Sequence, residues 1–141
     1  MISDYKKIDP NDFSGNIIQK IGFDWMLITA GNPEKFNTMT ASWGGMGFLW
    51  NKPVAFIFIR PQRFTYEFAE LNEYYTLHFF EEKYREILNF VEVNLAGMLI
   101  KLRKQVLLFL TAKTTMFISG SHTCKWSAGN CILMILIRII F

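Results

Sequence analysis

The chain has 141 residues, enough for one domain with a real core and too few to expect two. Its formal charge of +3 is uneven: residues 1–90 carry nine Lys/Arg against eleven Asp/Glu, and residues 91–141 carry six against one. The basic balance therefore belongs to the tail and is no argument for nucleic-acid binding, which needs clustering on one face.

In chain order, residues 1–20 read as an irregular entry segment with Asp-Pro and Asn-Asp turn signals. Their polar opening, MISDYKKIDPNDF, lacks the apolar stretch of a secretion signal. The most apolar run, residues 131–141, is about half the ~20 residues of a membrane helix and contains Arg138. Both cysteines, Cys124 and Cys131, lie in the tail, which argues against a disulfide framework. The expectation is a soluble cytoplasmic protein that binds neither membrane nor nucleic acid.

Residues 24–30, DWMLITA, form a short run rich in strand formers, closed by the turn signal Gly31-Asn32-Pro33. Residues 36–43, FNTMTASW, alternate Asn37, Met39, Ala41 and Trp43 with Thr38, Thr40 and Ser42. That period predicts a strand with one face lined by hydroxyls, paired with the first run as a hairpin. Gly44, Gly45 and Gly47 break the pattern, and Asn51-Lys52-Pro53 reads as a second turn. Residues 54–60, VAFIFIR, are apolar on both faces and predict a buried strand ending at Pro61. Thr65 is placed as the N-cap of a short helix that Asn72-Glu73 ends. Residues 74–80 predict another strand, and residues 81–90 a second helix with Tyr84, Ile87 and Leu88 on one side. Four strands and two short helices without βαβ alternation predict a mainly β fold, a barrel with helical connections.

After Phe90 this logic stops. QVLLFLTAKTTMFISG and CILMILIRIIF show neither a clean period nor caps. At the codon level, restoring one base after the Phe90 codon allows residues 91–101 to read Cys-Gly-Ser-Lys-Ser-Gly-Arg-Asp-Val-Asp-Lys without a stop. The chain is therefore read as two parts, residues 1–90 of a domain and an out-of-frame tail, 91–141, with the second half of the barrel missing or scrambled. The alternative is a divergent natural C-terminus.

DWMLITAG, FNTMTASWGG and WNKPVAFIFIRPQRFT together resemble the flavoredoxin branch of the flavin reductase-like family, over about residues 17–90. The frame-restored segment is similar to that family's next motif, which helps bind the phosphate. The resemblance implies an FMN-binding split β-barrel, a homodimer with the flavin near the subunit interface, and NADH or NADPH as electron donor. The activity it implies is hydride transfer between nicotinamide and flavin, or electron relay to a partner protein. A flavin-binding carrier without turnover and a non-functional frameshifted product are the alternatives.

The residues suit that chemistry. Arg60 and Arg63 offer forked donors to a phosphate, and Thr65 adds a hydroxyl. The resemblance assigns the loop that also holds Pro61 and Phe64 to this task. It assigns the isoalloxazine ring to Asn37, Thr38, Met39, Thr40, Ala41, Ser42 and Trp43, where Ala41 leaves room for a flat ring and Trp43 packs beside it. The hydride chemistry belongs to the flavin, so no catalytic side chain is named. Out of context an arginine of this kind is more often solvated, and a threonine row more often a solvent face. Trp25 and Trp50 are read as core or dimer-interface residues, and His78 as structural. His122, Cys124 and Cys131 are not read as a metal centre.

Overall fold

A computed structural model describes residues 9, 12–32, 34–94, 116–127 and 133–138. A π-helical turn, Gln19–Phe23, leads into strand β1, Met26–Gly31. Strand β2, Phe36–Ala41, returns antiparallel along it, with Met26 opposite Ala41 and Gly31 opposite Phe36. The hairpin closes on Asn32, whose side-chain oxygen accepts from the backbone N–H of Glu34 (3.0 Å) and Lys35 (2.8 Å). Strands β3, Gly44–Leu49, and β4, Lys52–Ile59, form a second hairpin. Its two-residue turn, Trp50-Asn51, has positive φ at both positions (51° and 56°), as a type I′ turn requires. Helix α1, Thr65–Leu71, strand β5, Tyr74–Phe79, a 3₁₀ turn at Glu82–Tyr84 and helix α2, Arg85–Asn94, follow. Strands β6, Met116–Ser127, and β7, Leu133–Arg138, complete the set.

The strands form one antiparallel sheet in the order β2-β1-β5-β6-β7-β4-β3. β6 is long enough to serve two neighbours: its first half pairs with β5 and its second with β7, with a register shift between His122 and Cys124. The order puts β2 and β3 at opposite ends, yet only Ser42 and Trp43 separate them in the chain. Two residues bridge about 10 Å, whereas seven strands laid flat span about 29 Å. The sheet must therefore curl until its ends nearly meet. They are bridged by chain and not by a hydrogen-bonded ladder, so the barrel is open, a partial split barrel.

Register assigns each residue of β2, β1 and β5 to a face, because residues directly opposite share one. Met26, Ile28, Ala30, Met39, Tyr75, Leu77 and Phe79 lie on one face and pack with Ala55, Ile57 and Ile59 of β4 and Phe68 and Ala69 of α1. Leu27 lies on the other, where it meets Phe80, Leu88 and Val91. α2 thus continues through residue 90, and Val91 is buried against residues far from it in the chain.

Four expectations change. The glycines after Trp43 belong to strand β3, because the Phe56 ring on β4 fills the space where a Cβ of Gly45 would sit. The second turn falls on Trp50-Asn51, with Lys52 and Pro53 already in β4. Thr65 is the first helical residue; Phe64 holds the cap position without a capping side-chain bond. And β6 and β7 lie where no period predicts a strand. Without them β5 and β4 would each leave one edge unpaired, so the demand for partners comes from strands far earlier in the chain.

Candidate functional site

Among the described residues β2 is an edge strand, and two adjoining cavities run along it. Consecutive residues of β2 line them, not alternate ones, because a groove at a strand's edge meets both faces. The first, about 190 Å³, lies between residues 39–43 on one side and Phe58, Arg60 and Arg63 on the other, with Glu92 closing it. The second, about 210 Å³, lies between residues 37–39 and residues 62–65, with Val91 and Glu92 as its third wall. Met39, Arg63 and Glu92 line both and form their common wall.

The local chemistry explains why each side chain stands where it does. Asn37 is buried, and its amide donates to the Thr65 hydroxyl (2.7 Å), which ties β2 to the start of α1. The Thr38 hydroxyl donates to the carbonyl of Ile28 (2.9 Å) and lies 2.9 Å from the Thr29 hydroxyl. It is used up inside the sheet. Thr40 points its hydroxyl at the Glu92 carboxylate, to which it donates. Ala41 and Ser42 keep the wall of the first cavity low, and Trp43 stands half exposed at its end. The Arg60 guanidinium lies over the Trp43 ring, 4.3 Å from its centroid. Phe64 meets Phe68 edge to face at 5.3 Å. Pro61 is exposed and lines neither cavity.

Arg63 is held on both forks. Nη1 lies 2.5 Å from Glu92 Oε1 and Nη2 2.7 Å from Oε2, with both side chains 33% exposed. The geometry is bidentate, but solvent screening at that exposure leaves the pair worth about 1 kcal/mol. His78 is buried beside Leu27, opposite Thr40's row, with Nε2 3.0 Å from the Thr76 hydroxyl. Burial pushes its pKa down to about 4, so it is neutral near pH 7.

The structure brings eleven of the twelve residues singled out in the sequence to one groove, Pro61 being the exception. Sequence reasoning missed Phe58, Gln62, Val91 and Glu92. Glu92 carried a signal: it is the single acidic residue after position 90, in an otherwise basic tail. His122, Cys124 and Cys131 have side chains outside the described residues.

A flavin matches the groove in part. Flat aromatic surface (Trp43, Phe58), small residues (Ala41, Ser42) and the open edge of β2 fit a planar ring bearing donors and acceptors. A carboxylate seated on Arg63 does not fit a phosphate.

Comparisons extend the fold beyond this chain. A flavoredoxin from Methanosarcina acetivorans superposes with a TM-score of 0.63 at 16% identity, over 99% of this chain and 74% of that one. An FMN-binding protein from Thermus thermophilus, crystallised with 1-cyclohex-2-enone, gives 0.61 at 14% identity over 98% and 78%. The NADH:FAD oxidoreductase SgcE6 of Streptomyces globisporus C-1027, solved with NAD and FAD fragments, gives 0.64 at 10% over 84% and 72%. The chain spans only 42% of another match, a protein from Sinorhizobium meliloti 1021. No family model matches the chain, and no curated protein matches it in sequence. Among the described residues no helix is long and apolar enough to cross a membrane. By superposition this chain has the flavin reductase-like fold, in an open form of the split barrel.

Proposed function

We propose that the chain is a flavin-binding oxidoreductase of the flavin reductase-like class, taking FMN in the groove along β2. NADH or NADPH serves as hydride donor, or a partner protein exchanges electrons with the site. The observation that carries this reading is the convergence of residues 37–43 with residues 60 and 62–65, separate in the chain, on two cavities that share Arg63.

When bound, the flavin supplies the hydride chemistry. The chain's own residues bind and orient. Ala41 and Ser42 admit the ring, Trp43 and Phe58 flank it, and the edge of β2 meets its polar rim. Among the described residues the cations lining the groove are Arg60, stacked on Trp43, and Arg63, whose forks Glu92 holds, and the Asn37–Thr65 bond holds their loop against β2. A cytoplasmic homodimer, with the groove near the subunit interface, is part of the same proposal; exposed Phe48 and Trp50 at the β3–β4 turn suit such a contact.

Titration with FMN and with riboflavin, followed by flavin fluorescence, tests the reading. Quenching that Ala41→Trp abolishes is the expected result, followed by bleaching of the bound flavin when NADH or NADPH is added without oxygen. Unchanged fluorescence of both flavins beside a protein whose circular dichroism is that of a folded β chain would overturn it.

A further inference from the structure

The Arg63–Glu92 pair is placed where it governs the groove. Both residues belong to both cavities, so the pair stands in the partition between them. Each cavity alone is smaller than the ~300 Å³ at which pockets for drug-sized ligands begin, and the two joined exceed it. Glu92 occupies both forks of Arg63 and accepts a hydrogen bond from the Thr40 hydroxyl as well, three donors that an anionic ligand would otherwise use.

Its hold is not reinforced by its own helix. No hydrogen bond or ion pair of the described residues joins the Glu92 carboxylate to the rest of α2, Arg85–Asn94. Among the described residues its carboxylate is held by Arg63 and Thr40. A carboxylate carries less charge than a phosphate and meets the same guanidinium in the same bidentate way, so the two compete for one seat.

We propose that Glu92 is a specificity-determining residue, an internal anion that competes with the phosphate of an incoming ligand for Arg63. Resting on the flavin reading above, this means that the groove discriminates against phosphorylated flavin relative to the bare ring. Displacing Glu92 would free the three donors and join the two cavities. Neutralising it without changing its shape would keep Ala41, Ser42, Trp43 and Phe58 in place and open the anion seat.

Glu92→Gln keeps the shape and removes the charge; Glu92→Ala serves as a second variant, and Arg63→Gln within Glu92→Gln as the control. The first probe is inorganic phosphate alone, read as a shift in thermal unfolding midpoint. The expected result is a phosphate-dependent rise in Glu92→Gln and Glu92→Ala that the unmodified protein lacks and the double variant loses. The second probe is the ratio of FMN to riboflavin affinity, expected to rise about tenfold on Glu92→Gln through FMN alone, as for one charge-assisted contact regained. Equal response of unmodified and Glu92→Gln protein to phosphate overturns the inference, even if both bind riboflavin. A phosphate response confined to the Glu92 variants, with no flavin bound by any, upholds the anion seat and refutes the flavin reading.

Discussion

Alternate residues of β2, β1 and β5 build two faces that differ in kind. Toward α1, Met26, Ile28, Ala30, Met39, Leu77 and Phe79 join one large core, and the polar Asn37 there is tied to Thr65. Toward α2, Thr29, Thr38, Thr40, Thr76 and His78 stand in rows around Leu27, and the apolar cluster reduces to Leu27, Phe80, Leu88 and Val91. The first face holds the fold by burial. The second holds hydrogen-bonded side chains at fixed positions, and from it Thr40 reaches Glu92. A sheet anchored on one side can keep the other side polar without losing its shape.

That contrast can be broken by measurement. Ile28 is fully buried in the larger core, so Ile28→Ala should cost about 4 kcal/mol in urea unfolding; a loss below 1 kcal/mol would mean that the α1 face does not anchor the sheet. Next in size is a pH effect from the polar face. The pKa of His78 is about 4 in the folded chain against an ordinary histidine value of 6.5 once unfolded. Between those values the unfolded chain binds a proton that the folded chain refuses, so stability is full above pH 6.5 and falls as pH drops toward 4. The fall is roughly 3 kcal/mol at most, and His78→Phe should remove that part of the slope from a pH series of unfolding midpoints. The smallest effect is at Thr38. Thr38→Val gives up the bonds to Ile28 and Thr29 at a cost of about 1 kcal/mol, and a cost equal to that of Ile28→Ala would erase the difference between the faces.

Much of residues 24–90 was legible from local pattern. The alternation in FNTMTASW and the turn at Asn32 anticipate the β1–β2 hairpin, and VAFIFIR anticipates β4. The hydroxyl row was legible as a row but not in its use: both threonines line the groove, but the Thr38 hydroxyl is bonded to Ile28 and Thr29 within the sheet, whereas that of Thr40 is turned to Glu92. Local pattern failed at Gly44 and Gly45, whose strand depends on Phe56 across the ladder. It failed again after residue 90, where α2 continues and β6 and β7 lie. Resequencing the coding DNA across the codons for residues 90 and 91 tests the out-of-frame reading of 91–141 directly.

Taken alone, the order of residues was enough to set β1, β2, β4 and β5, the places of both short helices and the arginine loop, because turn chemistry and side-chain period act over a few residues. Folding decided the rest: which strand lies at an edge, how far the sheet curls, and which acid sits on Arg63. Those outcomes join residues tens of positions apart, Glu92 being 29 from Arg63 and 52 from Thr40. Pairings at such separations leave no mark in a local pattern; they arise when unfilled backbone edges and charges find each other across the fold.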